Sequence, residues 1–285
     1  MRSIAIMNQK GGVGKTTTAV NVSAALAATG QRVCLIDLDP QAHATLHFGL
    51  DPTPSVPSVY DVLVGSARLA DVRRQVGENL WMVGSQLDLA AAELELAGVV
   101  GREVILRDKL GEDTGEFDYL FVDCPPSLGV LTINALAAVD EVFIPLQPHF
   151  LALHGLSKLL ETIDLVARRL NNRLKLSGVI LCMYDGGTRL AAEVSEDVGE
   201  FFRRAQDRQS AWAGAHIFQT RIRRNVRLAE APSFGQSIFQ YAPSSHGAED
   251  YRSLACEILS AAESLGKLTS PGGPGSWRQP GPPSA

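Results

Sequence analysis

Two lysines share one glycine-rich stretch, Gln9-Lys10-Gly11-Gly12-Val13-Gly14-Lys15-Thr16-Thr17. Glycines at 11, 12 and 14 let backbone N–H groups turn toward a common centre, as they must to surround phosphate oxygens. Lys15 stands where a phosphate-binding loop places a cation for the β- and γ-phosphates, and Thr16 supplies a hydroxyl for Mg²⁺. Gln9 occupies the first glycine position of the usual GxxxxGK pattern, so the loop is a variant. Lys10 is its unusual member. A second cation packed beside Lys15 is costly unless a phosphate lies between them. The bland alternative is a solvated loop lysine.

Two further segments carry carboxylates. In Leu35-Ile36-Asp37-Leu38-Asp39-Pro40-Gln41, Asp37 closes an apolar run and Asp39 begins a loop. Alternation along an extended chain puts both on one side. One can hold Mg²⁺ directly or through water; the other can orient an attacking water. Asp-Pro is also a plain turn signal. In Tyr119-Leu120-Phe121-Val122-Asp123, an apolar run ends in the acid that places a carboxylate near the Mg²⁺ shell. The candidate metal set is therefore Thr16, Asp37 and Asp123. Phosphoryl transfer asks the protein for positioning and cations, and these residues supply both.

The elements that must position them follow from hydropathy. Apolar runs at 4–7, 33–37, 80–83, 119–123, 141–145, 178–183 and 216–219 read as buried strands. Helical patterns fill the gaps, notably 16–28, 151–170, 190–204 and 248–265. The expected fold class is α/β: a single doubly wound domain, a mostly parallel twisted sheet with helices on both faces, of the P-loop NTPase type. Ligands in such sheets bind at the carboxyl ends of the strands, where the loop, Asp37 and Asp123 converge. The expected domain is 1–265, followed by a Pro/Gly-rich tail, 266–285, that cannot form a packed core.

No apolar run is long enough to span a bilayer and no signal pattern precedes the first strand, so a cytoplasmic protein is expected. Cys34, Cys124, Cys182 and Cys256 form no CxxC pair and read as small buried residues. The net charge of −5 argues against nucleic acid, but residues 201–228 carry seven arginines against one acid, Asp207. Such a patch can bind a polyanion by counterion release; alone, it reads as a solvated surface. His43 and His47 stand at i, i+4 without a third ligand, and read as capping or exposed residues.

Taken together, NQKGGVGKTTTAVNVSAALA, LIDLDPQAHAT, YLFVDCPPSLGVLTINAL, PLQPHFLALHGLSKLLETI and NVRLAEAPSFGQSIFQY resemble the ParA/Soj partitioning ATPases of the deviant Walker A class, which also includes MinD. The resemblance implies ATP and Mg²⁺ as cofactors. It implies that Lys10 reaches phosphates of a second subunit in an ATP-bound homodimer, that Thr17 contacts the α-phosphate, and that Asp39 positions the hydrolytic water. It places Asn225 at the adenine edge and Arg224 on a surface for non-specific DNA, with a ParB-like partner stimulating hydrolysis and release. Three departures stand out. Arg223 replaces the family's proline, which either alters the base pocket or adds Arg223 to Arg224 and Arg227 as a candidate DNA contact. An arginine of the usual Asp-x-Arg-Thr is displaced to Arg189. Gln41-Ala42-His43 replaces Gln-Gly-Asn. A MinD-like membrane positioner needs a basic amphipathic helix that the tail cannot form, and a cluster carrier needs paired cysteines. An orphan relative positioning a protein cargo fits the same residues.

Overall fold

The computed structural model describes residues 1–149, 152–204 and 209–264, excluding the side chains of 152–154 and 262–264. The expected tail, Trp277, Asp207 and Arg208 lie outside the described residues. Eight strands form one sheet: β1 (Arg2–Ile6), β2 (Val33–Asp37), β3 (Arg73–Gly77), β4 (Leu80–Val83), β5 (Tyr119–Asp123), β6 (Glu141–Leu146), β7 (Lys175–Leu181) and β8 (His216–Ile217). Their order is β3-β4-β2-β5-β1-β6-β7-β8, and only the β3–β4 pair is antiparallel. The expected doubly wound, mostly parallel sheet is the observed one.

Alternation along the strands divides the core between two faces. Ala5, Ile36 and Val122 join one apolar cluster with Leu131, Leu159 and Val198, from helices Val130–Ala138, Ala152–Arg169 and Arg189–Arg203. Ile4, Ile6, Leu35 and Phe121 join the other with Val20 and Val22 of α1 (Lys15–Ala28) and Leu254 and Ile258 of helix His246–Ser264. Burying each such aliphatic side chain contributes roughly 1.5–3 kcal/mol.

Of the departures from the sequence reading, two have a direct physical cause. The first strand starts at Arg2 because that residue's charge is matched inside the fold. Arg2 donates to both oxygens of Glu141 at 2.8 and 2.9 Å and to the Ile258 carbonyl at 2.8 Å. The edge strand β3 is polar and half exposed, so it lacked the apolar run by which the others were found. Three of the four cysteines are buried as expected; Cys256 is exposed.

Candidate nucleotide-binding site

The central strand β1 lies between β5 and β6, and the loop that follows it emerges at the carboxyl edge of the sheet. Asn8 fastens this loop: its Nδ2 donates to the Pro145 carbonyl at 2.7 Å, and its Oδ1 accepts from the Lys10 N–H at 3.0 Å. Gly12 and Gly14 have φ of 73° and 94°, left-handed values that explain why glycine is needed at these two positions. Gly14 caps α1, directing free N–H groups and partial positive charge into the loop. Gly11 and Gly12 are exposed at its rim, and Val13 is buried beneath it.

The lysines occupy different settings. Lys15 is buried at 7% exposure and its Nζ donates to the Lys10 carbonyl at 3.2 Å. Burial lowers its pKa, opposed by the charges of Asp123 and Asp39. Lys10 is exposed, with its Nζ hydrogen-bonded to His149 Nε2. Lys15 is thus held inside its own loop, whereas Lys10 lies at the exposed rim.

Asp123 ends β5 in register with Ile6 of β1 on one side and Asp37 of β2 on the other. It is fully buried, and neither carboxylate oxygen has a hydrogen-bond partner among the described residues. Burial, then the neighbouring Asp37, holds its carboxyl well above the usual range, while Thr16 and Lys15 pull the other way. An orphaned buried carboxylate beside Thr16 fits a Mg²⁺ shell completed by phosphate and water.

Asp37 is differently committed. Its Oδ2 accepts from the N–H and Oγ1 of Thr45 at 2.9 and 2.8 Å, and its Oδ1 from the Asp39 N–H at 3.1 Å. Burial raises its pKa to about 6 despite these donors. The Asp37 carboxylate, a candidate to hold Mg²⁺ directly or through water, also organises the segment that follows it. In that segment Asp39 Oδ1 accepts from the Gln41 N–H at 3.0 Å. Ala42, where the family pattern has glycine, adopts φ 52°, a strained conformation for a residue with a Cβ.

Beside the loop lies an open cleft of about 810 Å³, lined by Thr16, Thr17, His43, His47, Pro232 and Phe234 among others. Pro232 and Phe234 in the cleft and Asn8 beneath the loop carry no side-chain type that alone signals phosphate chemistry. The reading of His47 as a capping or exposed residue is corrected. It is buried on α2 (His43–His47), with Nε2 unpartnered among the described residues, whereas His43 is exposed. Asn225 caps helix Val226–Glu230 by accepting from the Arg227 N–H at 2.9 Å, and it does not line the cleft.

The arginines also separate. Arg223 is tied to a neighbouring helix: its guanidinium bonds Asp250 at 2.6 and 3.0 Å and Glu249 at 2.7 Å. Arg227 pairs with Glu230 at 2.8 Å, and Arg189 with Glu193 at 2.8 Å, the latter pair highly exposed. Arg224 is exposed and has no ion pair among the described residues. Arg221 covers the Tyr184 ring at 4.6 Å. The usable positive surface is thus smaller than the summed sequence charge, because acids from a distant helix neutralise part of it.

A parallel sheet whose central strand feeds a glycine loop, with a buried lysine and an unpartnered buried carboxylate at one edge, defines a P-loop nucleotide-binding protein. The family described as an AAA domain matches residues 1–176. The chain is 47% identical over 256 residues to the sporulation initiation inhibitor protein Soj of Bacillus subtilis, covering 90% of this chain and 97% of that one. It is 43% identical over 264 residues to the chromosome partitioning protein ParA of Caulobacter vibrioides, covering 91% and 94%. A solved structure described as cobyrinic acid a,c-diamide synthase from Mycobacterium smegmatis, with bound ADP and magnesium, is 35% identical, covers 94% and 98% of the two chains, and has a TM-score of 0.78. This chain belongs to the ParA/Soj family of partitioning ATPases.

Proposed function

We propose that this chain is an ATP-dependent chromosome or plasmid partitioning switch, working in the cytoplasm on nucleoid DNA. ATP binds with its phosphates in the 9–17 loop, with Thr17 near the α-phosphate and Asn225 near the base. Thr16 and Asp123 hold Mg²⁺, with Asp37 behind them. A Mg²⁺ held by these residues would supply charge neutralisation for the phosphates. Lys15 adds a second fixed charge, and Asp39 orients the attacking water. Lys10 reaches the nucleotide of a second copy, closing a homodimer. The dimer binds DNA without sequence preference through Arg224, assisted by Arg189 and Arg227, and a ParB-like partner accelerates hydrolysis and release.

The observation that carries this reading is the division of labour between the lysines. Lys15 is buried in its own loop, while Lys10 is exposed at the rim. The high identity to Soj and ParA over nearly the whole chain supports partitioning over amide synthesis, the activity named for the 35% identical structure. Among the described residues no helix is long and apolar enough to cross a membrane. The test is light scattering with ATP or ADP, followed by binding to random duplexes. A dimer and DNA binding that both require ATP are expected; equal behaviour with ADP overturns the reading.

A further inference from the structure

The strands that carry the switch segment part company just before it. β2 and β4 pair in register as far as Ile36 opposite Val83. Beyond that point no ladder connects the Asp39 loop to the chain leaving β4, and side chains make the connection instead. Ser85 Oγ donates to the Asp39 carbonyl at 2.8 Å, and the Ser85 N–H donates to Thr45 Oγ1 at 2.8 Å. Thr45 Oγ1 donates in turn to Asp37 Oδ2 at 2.8 Å, and Asp37 Oδ1 accepts from the Asp39 N–H at 3.1 Å. The four residues close a ring: Asp39, Ser85, Thr45, Asp37 and back to Asp39. All four are buried, Ser85 and Thr45 at 2% exposure.

The ring grips both backbone polar groups of Asp39, its N–H through Asp37 and its C=O through Ser85. It therefore fixes the position from which the Asp39 carboxylate leaves the chain. Gly84 permits the approach, since a Cβ there would lie 3.2 Å from Thr45 Cγ2. Buried and fully connected polar rings hold a single geometry, because breaking one link strands a desolvated partner.

We infer that Ser85 and Thr45 are positioning residues for ATP hydrolysis, acting through the backbone of Asp39 to aim its carboxylate at the attacking water. The inference rests on the reading of Asp39 as the water-orienting group. Ser85 lies outside the phosphate loop and both acidic segments, in the chain that leaves β4. It is absent from the cleft lining and bonds the Asp39 carbonyl, so its effect falls on the Asp39 segment and leaves nucleotide binding to the 9–17 loop.

The experiment is single-turnover hydrolysis of radiolabelled ATP with Mg²⁺ and random duplex DNA, paired with ATP titrations and melting curves. Ser85→Ala and Thr45→Val are expected to slow hydrolysis about 10- to 100-fold, the scale of a misplaced reacting group. KM should stay within about twofold, since the lost interaction bears on the transition state. Thr45→Ser, which keeps the hydroxyl, should restore the rate; a merely structural role for Thr45 would leave serine and valine equally impaired. Wild-type hydrolysis by Ser85→Ala, or loss of rate and affinity in parallel, overturns the inference. Asp39→Ala separates the two readings: normal hydrolysis there overturns the role of Asp39 itself, whereas an inactive Asp39→Ala beside a fully active Ser85→Ala overturns only the ring's role.

Discussion

Lys15 Nζ donates to the carbonyl oxygen of Lys10 at 3.2 Å, so the buried cation of the loop is held by the backbone of the exposed one. The side chain of Lys10 takes no part in that bond. Lys10→Ala should therefore bind ATP nearly as well as the parent yet fail to form the ATP-dependent dimer. Nucleotide titration and light scattering on the same preparation measure both. A Lys10→Ala protein that dimerises normally would remove the case for a contact between subunits.

Asp123 carries a destabilising charge that its function requires. Its folded pKa lies well above the unfolded 3.8, so its ionisation opposes folding increasingly as pH rises from about 4. Asp123→Asn should raise the melting temperature of the nucleotide-free protein at neutral pH, by about 2–4 °C for each kcal/mol relieved. Mg²⁺-dependent ATP binding should fall at least about tenfold, the loss expected for a charge-assisted contact. A lower melting temperature would contradict the account of the orphaned carboxylate.

His47 should set part of the acid sensitivity. Burial pushes its pKa from 6.5 down to about 4. As pH falls below 6.5 the unfolded chain takes up the proton first, so stability present above that value drains away between pH 6.5 and about pH 4. The full effect is on the order of 3 kcal/mol. Melting curves across this range should be flatter for His47→Leu than for the parent. Parallel curves would show that the imidazole is not the titrating group.

Arg224 and Arg223 should behave oppositely despite being neighbours. Arg224→Ala should weaken binding to all random duplexes alike and reduce the salt slope by about one. Arg223→Ala breaks the ion pairs with Asp250 and Glu249, so it should lower the melting temperature more than it alters the salt slope. Salt-dependent binding isotherms on both variants decide the assignment.

The sheet and the three chemical segments were legible because each is written in local pattern: apolar runs for strands, glycines with lysine for the loop, an acid at a strand end. What escaped was written in pairing across the fold. Arg2 reads as a polar start until Glu141 is found beside it. Arg223 reads as a DNA contact until helix His246–Ser264 brings Asp250 against it. Ser85 has no motif at all, and its meaning lies in the Asp39 carbonyl that it faces. Edge strand β3 failed for the opposite reason: a half-exposed strand need not be apolar.

The central place of β1 dictates an order of events during synthesis. Its residues are made well before those of its neighbours β5 and β6, which span Tyr119–Asp123 and Glu141–Leu146. At ordinary elongation rates the strand waits on the order of ten seconds for them. Until then the lysine loop has no Asp123 opposite and no Pro145 carbonyl to anchor Asn8. The nucleotide site of a nascent chain is thus incomplete until β6 has emerged.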